Sequence, residues 1–193
     1  MITPTIDISE GARVRAARSE GECLRYRLDV VAADAVDVVR SAGGWLYDRV
    51  MAGWEVTVLL PHRCDTRSLR ILGVDVVDTE SEFAAAAMAS TSQTLAVSAE
   101  AFAVDARLRD KVLESLNNQF TEVALWGQPQ QGWPLGVDRG LTTAQHLLSS
   151  AARRFKGVAL GAAGISSGPV DFTETLLCGA TRAQRESELI RLT

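Results

Sequence analysis

The stretch "SAGGWLYDRVMAGWEVTVLLPHRCDTR", residues 41–67, decides how the chain is read. Upstream and through it, Ala35, Val39, Ala42, Leu46 and Val50 recur at spacings of three and four, the stripe of a helix that buries one face. Gly53 stands just past the last periodic residue, where helices commonly stop. "WEVTVLL", residues 54–60, barely alternates in its last four positions, as a strand buried on both faces does. Helix followed by buried strand is one step of a βαβ unit.

The glycine pair, Gly43 and Gly44, raises a choice. A phosphate-binding loop needs a strand before it and a helix starting on it, so that unpaired backbone N–H groups face the anion. If residues 35–50 are one helix, the pair sits mid-helix and each glycine costs roughly 1 kcal/mol relative to alanine, which a close helix–sheet approach offsets. The competing parse makes "AVDVVR" a strand and "SAGG" an anion-binding turn. Neither G-x-G-x-x-G nor G-x-x-x-x-G-K-[ST] is present, so the packing parse is adopted.

Working outward, "CLRYRLDVV" alternates Leu24, Tyr26, Leu28 and Val30 with charged residues, the pattern of a half-buried edge strand. "LRILGVDVV", "QTLAVS" and "FTEVALW" read as further strands. "TESEFAAAAMAS", opened by the capping box Thr79-x-x-Glu82, and "AEAFAVDARLRDKVLESLNNQ" read as helices. Strands alternating with helices predict an α/β fold, a Rossmann-like or flavodoxin-like three-layer domain with a mainly parallel sheet of about five strands. "AGWEVTVLLP", residues 52–61, is similar to the helix–strand step of many Rossmann-like proteins, glycosyltransferase N-terminal halves among them, and carries no functional motif.

The expected organisation is an N-terminal arm over residues 1–21, a core over 22–127, a Gly/Pro/Gln loop over 128–140 and a helical extension over 141–193 that packs on the core. In that extension "LTTAQHLLSSAARRFKGVAL" and the segment ending "RAQRESELIRLT" read as helices, and Asp171-x-x-Glu174 and Thr181-x-x-Gln184 as capping boxes.

At 193 residues the chain suits one sizeable domain, and its 47% apolar content suits a buried core. No apolar run approaches the ~20 residues needed to span a bilayer, and no basic start leads into an apolar segment, so a cytoplasmic location is expected. Cys23, Cys64 and Cys178 are scattered, as reduced thiols are. Arginine outnumbers lysine 18 to 2, a bias typical of GC-rich bacterial genes. A net charge of −4 provides no general field for nucleic acid, although Arg13, Arg15, Arg18, Arg25 and Arg27 cluster near the start.

For chemistry, "PHRCDTR" follows a strand directly, and open α/β sheets bind ligands beyond the carboxyl ends of their strands. His62, Arg63, Asp65 and Arg67 are therefore the candidate ligand-binding residues, the arginines suited to a carboxylate or phosphate and His62 to moving a proton. Asp65 or Glu100 would serve as a base. "GISSG", residues 164–168, matches G-x-S-x-G, but both histidines precede Ser166 and its context reads as a helix end. Asp75, Asp78, Glu80 and Glu82 suit helix capping better than Mg²⁺, and no metal or cofactor is expected. Trp126 and Trp133 beside the loop, with Leu189 and Ile190 in the tail, are candidate interaction residues.

No strong catalytic signature is present. The sequence reading is accordingly a non-catalytic module of the bacterial cytosol that engages a protein partner, itself or a small ligand through the 127–140 loop and the C-terminal helices. Its alternative is an enzyme or sensor for an anionic small molecule, a nucleotide, sugar phosphate or carboxylate, held at the strand ends.

Overall fold

The computed structural model describes residues 26–61, 64–80, 92–118, 120–130, 132–134, 137, 141–166, 168–179 and 189–191. In chain order these form β1 (Arg27–Val31), α1 (Ala35–Met51), β2 (Glu55–Leu60), α2 (Arg67–Ile71), β3 (Asp75–Asp78), β4 (Thr94–Ser98), α3 (Ala99–Val104), α4 (Ala106–Asn117) and β5 (Glu122–Trp126). β6 (Leu141–Leu147), α5 (Ser150–Ala162), β7 (Thr173–Gly179) and β8 (Leu189–Arg191) complete them. The N-terminal arm, the helix expected from Thr79 and the Thr181–Gln184 box lie wholly or mostly outside the described residues.

One eight-stranded sheet runs β3-β2-β1-β4-β5-β7-β6-β8. From β3 to β5 every pairing is parallel, in the strand order of a Rossmann half. From β5 onward every pairing is antiparallel. The expected mainly parallel sheet is therefore corrected to a mixed one. Helices α1, α2 and α5 cover one face, where Val38, Trp45, Leu69 and Leu160 pack with Leu28, Val30 and Val58. On the other, Phe102 of α3 and Leu108 and Val112 of α4 pack with Val31, Leu59, Val97 and Leu125. The architecture is three-layered.

Three local expectations change. β1 is flanked by β2 and β4 and is not an edge strand. Its Asp29 is tolerated inside because Arg27 Nε donates to it at 3.0 Å, while burial pushes the Asp29 carboxyl above its ordinary range. The helix expected over 99–119 is broken at Asp105, whose carboxylate caps α4 by accepting from the Arg107 and Leu108 amides. The C-terminal third is not a helical extension. Residues 141–147 and 173–179 are antiparallel neighbours with one helix between them, and Leu189 and Ile190 lie in strand β8 beside β6.

Gly43 and Gly44 lie in the middle of α1. A Cβ on Gly44 would stand 2.6 and 2.7 Å from the Leu148 methyls, whereas one on Gly43 would meet Leu72 Cδ1 at 3.3 Å. The second glycine and the residue after it do bind an anion, but an internal one. The Gly44 and Trp45 amides donate to the two oxygens of the Glu174 carboxylate at 2.8 and 2.7 Å. Lys156 Nζ donates to Glu174 Oε1 at 2.6 Å and to the carbonyl of Arg40, the acceptor that the helical ladder assigns to Gly44. Beside it, His146 Nε2 lies 3.0 Å from Asp48 Oδ2, which also accepts from the Ser149 amide. These contacts fasten the antiparallel strands and α5 to α1.

The two glycines should therefore respond differently to alanine. G43A gains helix propensity of about 1 kcal/mol against a mild contact. G44A forces the buried Leu148 aside, and overpacking of that kind costs about 1–3 kcal/mol. Thermal unfolding followed by circular dichroism should place the G44A midpoint below that of G43A.

Candidate functional site: a crevice at the carboxyl ends of β1 and β4

The chain leaves β1 into α1 on one face of the sheet and leaves β4 into α3 and α4 on the other. Between two neighbouring parallel strands whose connections diverge in this way, the sheet opens a crevice at its carboxyl edge. A cavity of about 790 Å³ lies there, lined by Ala33 after β1, Ala99 and Glu100 after β4, and Gln128, Pro129 and Gln130 after β5. Phe102, Ala103, Val104 and Arg109, together with Gly132 and Pro134, complete the wall. Its size suits a small organic ligand.

Local chemistry positions each of these groups. Ser98 Oγ accepts from the Ala101 amide at 3.2 Å and starts α3, which sets Glu100 in its first turn with an exposed side chain. Arg109 Nη1 donates to the carbonyls of Phe102 and Ala103 at 3.2 and 2.9 Å, tying α4 to the end of α3. Gly127 turns the chain out of β5 with φ +78°, and a Cβ there would stand 3.1 Å from Ala99 Cβ. That turn brings Gln128 and Gln130 over the opening.

The N-terminus of α1 adjoins the same edge. Asp34 is its N-cap residue, and its exposed carboxylate caps no amide. Asp37 is held in place, accepting from Trp126 Nε1 at 2.7 Å and from Ser41 Oγ at 3.1 Å. Cys64 Sγ lies 3.9 Å from the Ala33 carbonyl, so the loop after β2 passes beside Ala33. Burial, then the charge of Asp34, pushes the Cys64 thiol up, away from a reactive thiolate.

Of the residues expected from the sequence, His62 and Arg63 lie outside those described. Asp65 and Arg67 pair with each other at 2.8 Å, both strongly exposed, and the Arg67 amide donates to Asp65 in a local turn. The pair draws the Asp65 carboxyl below its ordinary value and stands apart from the cavity lining. Glu100 does line it. Trp126 is buried, with its indole on Asp37. Trp133 is half-buried, edge-on to Phe102 with centroids 5.1 Å apart. The G-x-S-x-G match follows the end of α5 instead of a strand, so Ser166 is on no nucleophile elbow. Asp78 accepts from the Glu80 amide at 2.9 Å, and among the described residues no three His, Cys, Asp or Glu side chains converge to hold a metal ion. Also among them, no helix is long and apolar enough to cross a membrane.

Sequence reasoning singled out the 127–140 loop as an engagement surface but missed Arg109 and did not name Gln128 or Gln130. A surface arginine on an amphipathic helix and a Gln/Pro loop carry no motif, and only the strand order brings them opposite Ala33.

No family model and no curated protein matches the chain. Solved structures do. The chain is similar to the antimicrobial reagent A40926 pseudoaglycone deacetylase, at 15% identity over 83% of this chain and 100% of that one, with a TM-score of 0.53. It is similar to the deacetylase of teicoplanin biosynthesis solved in complex with teicoplanin, at 12% identity over 86% and 99% of the two chains, with a TM-score of 0.53. A third is 4-carboxy-2-hydroxymuconate hydratase from Pseudomonas putida, at 12% identity over 84% and 99%, with a TM-score of 0.50.

The likeness is one of fold. It nonetheless overturns the expected non-catalytic interaction module, because the solved proteins that share this architecture are enzymes acting on small molecules. The alternative, a small molecule handled at the strand ends, is the reading carried forward.

Proposed function

We propose that the chain is an enzyme that adds water to a small polar substrate held in the β1/β4 crevice. The observation that carries this reading is the composition of the crevice at the switch point: among the described residues Glu100, Arg109, Gln128, Gln130 and Phe102 line a cavity of about 790 Å³. The fold's neighbours support it chemically. A deacetylase hydrolyses an acyl bond and a hydratase adds water across a double bond, so both deliver a water oxygen to carbon and both require a base beside the substrate.

In the hydrolytic form, Glu100 takes a proton from water as its oxygen attacks the acyl carbon. The Gln128 and Gln130 amides donate to the oxygen on which negative charge develops. Collapse of the tetrahedral adduct breaks the carbon–nitrogen bond, and the proton on Glu100 passes to the leaving amine. One water is consumed, giving an acid and an amine.

Incubation with N-acetyl sugars, N-acetyl amino acids and unsaturated hydroxycarboxylates, following acetate release or loss of absorbance, tests the proposal. Ala103→Trp should abolish the turnover found, because the exposed Ala103 lines the opening and an indole there fills it. Its midpoint of unfolding should move little, as surface substitutions usually stay within about 0.5 kcal/mol. Turnover that survives Ala103→Trp would place the site elsewhere, and an inert panel would reject water addition.

A further inference from the structure

We infer that Arg109 forms a carboxylate subsite within the crevice, so that the substrate carries a carboxylate group; this rests on the crevice reading above. The argument is one of hydrogen-bond inventory. A guanidinium has five N–H donors, two on each terminal nitrogen and one on Nε. Arg109 Nη1 donates to two main-chain carbonyls, Phe102 O at 3.2 Å and Ala103 O at 2.9 Å. With that nitrogen engaged, no described residue takes the edge formed by Nε–H and Nη2–H, two parallel donors whose spacing matches the two oxygens of a carboxylate.

Electrostatics points the same way. Arg109 lines the crevice, and no carboxylate among the described residues pairs with it. Glu100 lines the same cavity without forming an ion pair with Arg109, so the opening presents an acid–base group and a separate cation. Pinning at Nη1 also fixes the plane of the guanidinium before any ligand arrives, which lowers the ordering cost of binding. A phosphate would be held as an anion too, but the planar side-on edge favours the planar carboxylate.

Succinate and its neutral diamide are the probes, titrated separately into the full chain while the Arg109 Nε–H and the Gln128 and Gln130 side-chain amides are followed by NMR. Inorganic phosphate is titrated in parallel. Succinate should move these signals, and the diamide should not. Arg109→Gln should weaken succinate binding about tenfold or more, with Arg109→Lys intermediate because it keeps the charge and loses the fork. Circular dichroism of both variants checks that the α3–α4 staple is not needed for folding, and Arg109→Lys keeps the test decisive if Arg109→Gln fails to fold. Phosphate bound more tightly than succinate would overturn the carboxylate assignment. Equal binding of succinate and diamide would overturn the subsite while leaving the crevice reading intact. Silence of the crevice signals with every probe would overturn both.

Discussion

Glu100→Gln is expected to lower kcat by about 10²–10⁴-fold while KM stays within a few-fold, the loss typical of removing a positioned general base. Glutamine keeps the size and shape of the side chain and removes only the proton acceptor. Glu100 is exposed in the first turn of α3, and Ser98 supplies the cap of that helix, so the fold has no stake in its charge. The loss should appear in kcat/KM as well as in kcat. Asp34 gives the comparison, since it directly follows the cavity-lining Ala33 in the chain and its carboxylate caps no amide. If Asp34→Asn causes this loss and Glu100→Gln does not, the base is assigned to the wrong strand end.

Lys156→Met is expected to destabilise the chain by about 3–5 kcal/mol, because it leaves a buried carboxylate without its counter-charge. Glu174 is 4% exposed, and the two amides of α1 satisfy its oxygens only in part. For a chain of 193 residues each kcal/mol shifts the midpoint by about 2–4 °C, so the loss is easily read by thermal unfolding. Its pH dependence has a definite sign. Burial pushes the Glu174 carboxyl above its ordinary range, against the pull of Lys156 and the two amides. A carboxyl raised in the folded state binds more protons there than in the unfolded chain, so stability is lost as pH rises from the unfolded value through the folded one. Removing Lys156 removes the largest opposing pull and steepens that loss. The gap between Lys156→Met and the parent should therefore be wide at neutral pH and should narrow as the solution is acidified towards the ordinary glutamate range. A gap that does not change with pH would show that the lysine contributes through its packed stem alone.

Much of the parallel half was legible. The stripe from Ala35 to Val50 and the double-sided burial of "EVTVLL" are properties of neighbouring residues, and periodicity reports them directly. Glu100 could be named beside Asp65 as a base candidate for the same reason, since it follows a strand whose end the pattern located. Arg109 was not legible, because nothing local distinguishes it from solvated surface, and of Gln128 and Gln130 composition marked only the loop that carries them.

The C-terminal third misled the reading for a specific reason. β7 alternates as a strand should, burying Glu174, Leu176 and Cys178, but its first inward residue is a glutamate. In β6 the inward residues are Ala144 and His146. Polar residues at inward positions erased the period, and Asp171-x-x-Glu174 then resembled a helix cap.

By itself, then, the sequence determined the βαβ succession of the first half and its depth of burial, both of which follow from the spacing of apolar side chains along a few turns or one strand. Only the tertiary structure decided that the sheet is mixed, that Gly44 and Trp45 serve an internal carboxylate, and that Arg109, Gln128 and Gln130 line one cavity with Glu100. Glu174 is acceptable inside because Gly44 lies 130 positions away in the chain, and His146 because Asp48 lies 98 away. Whether a buried charge is compensated depends on which distant donors the fold brings to it, and local periodicity carries no record of that.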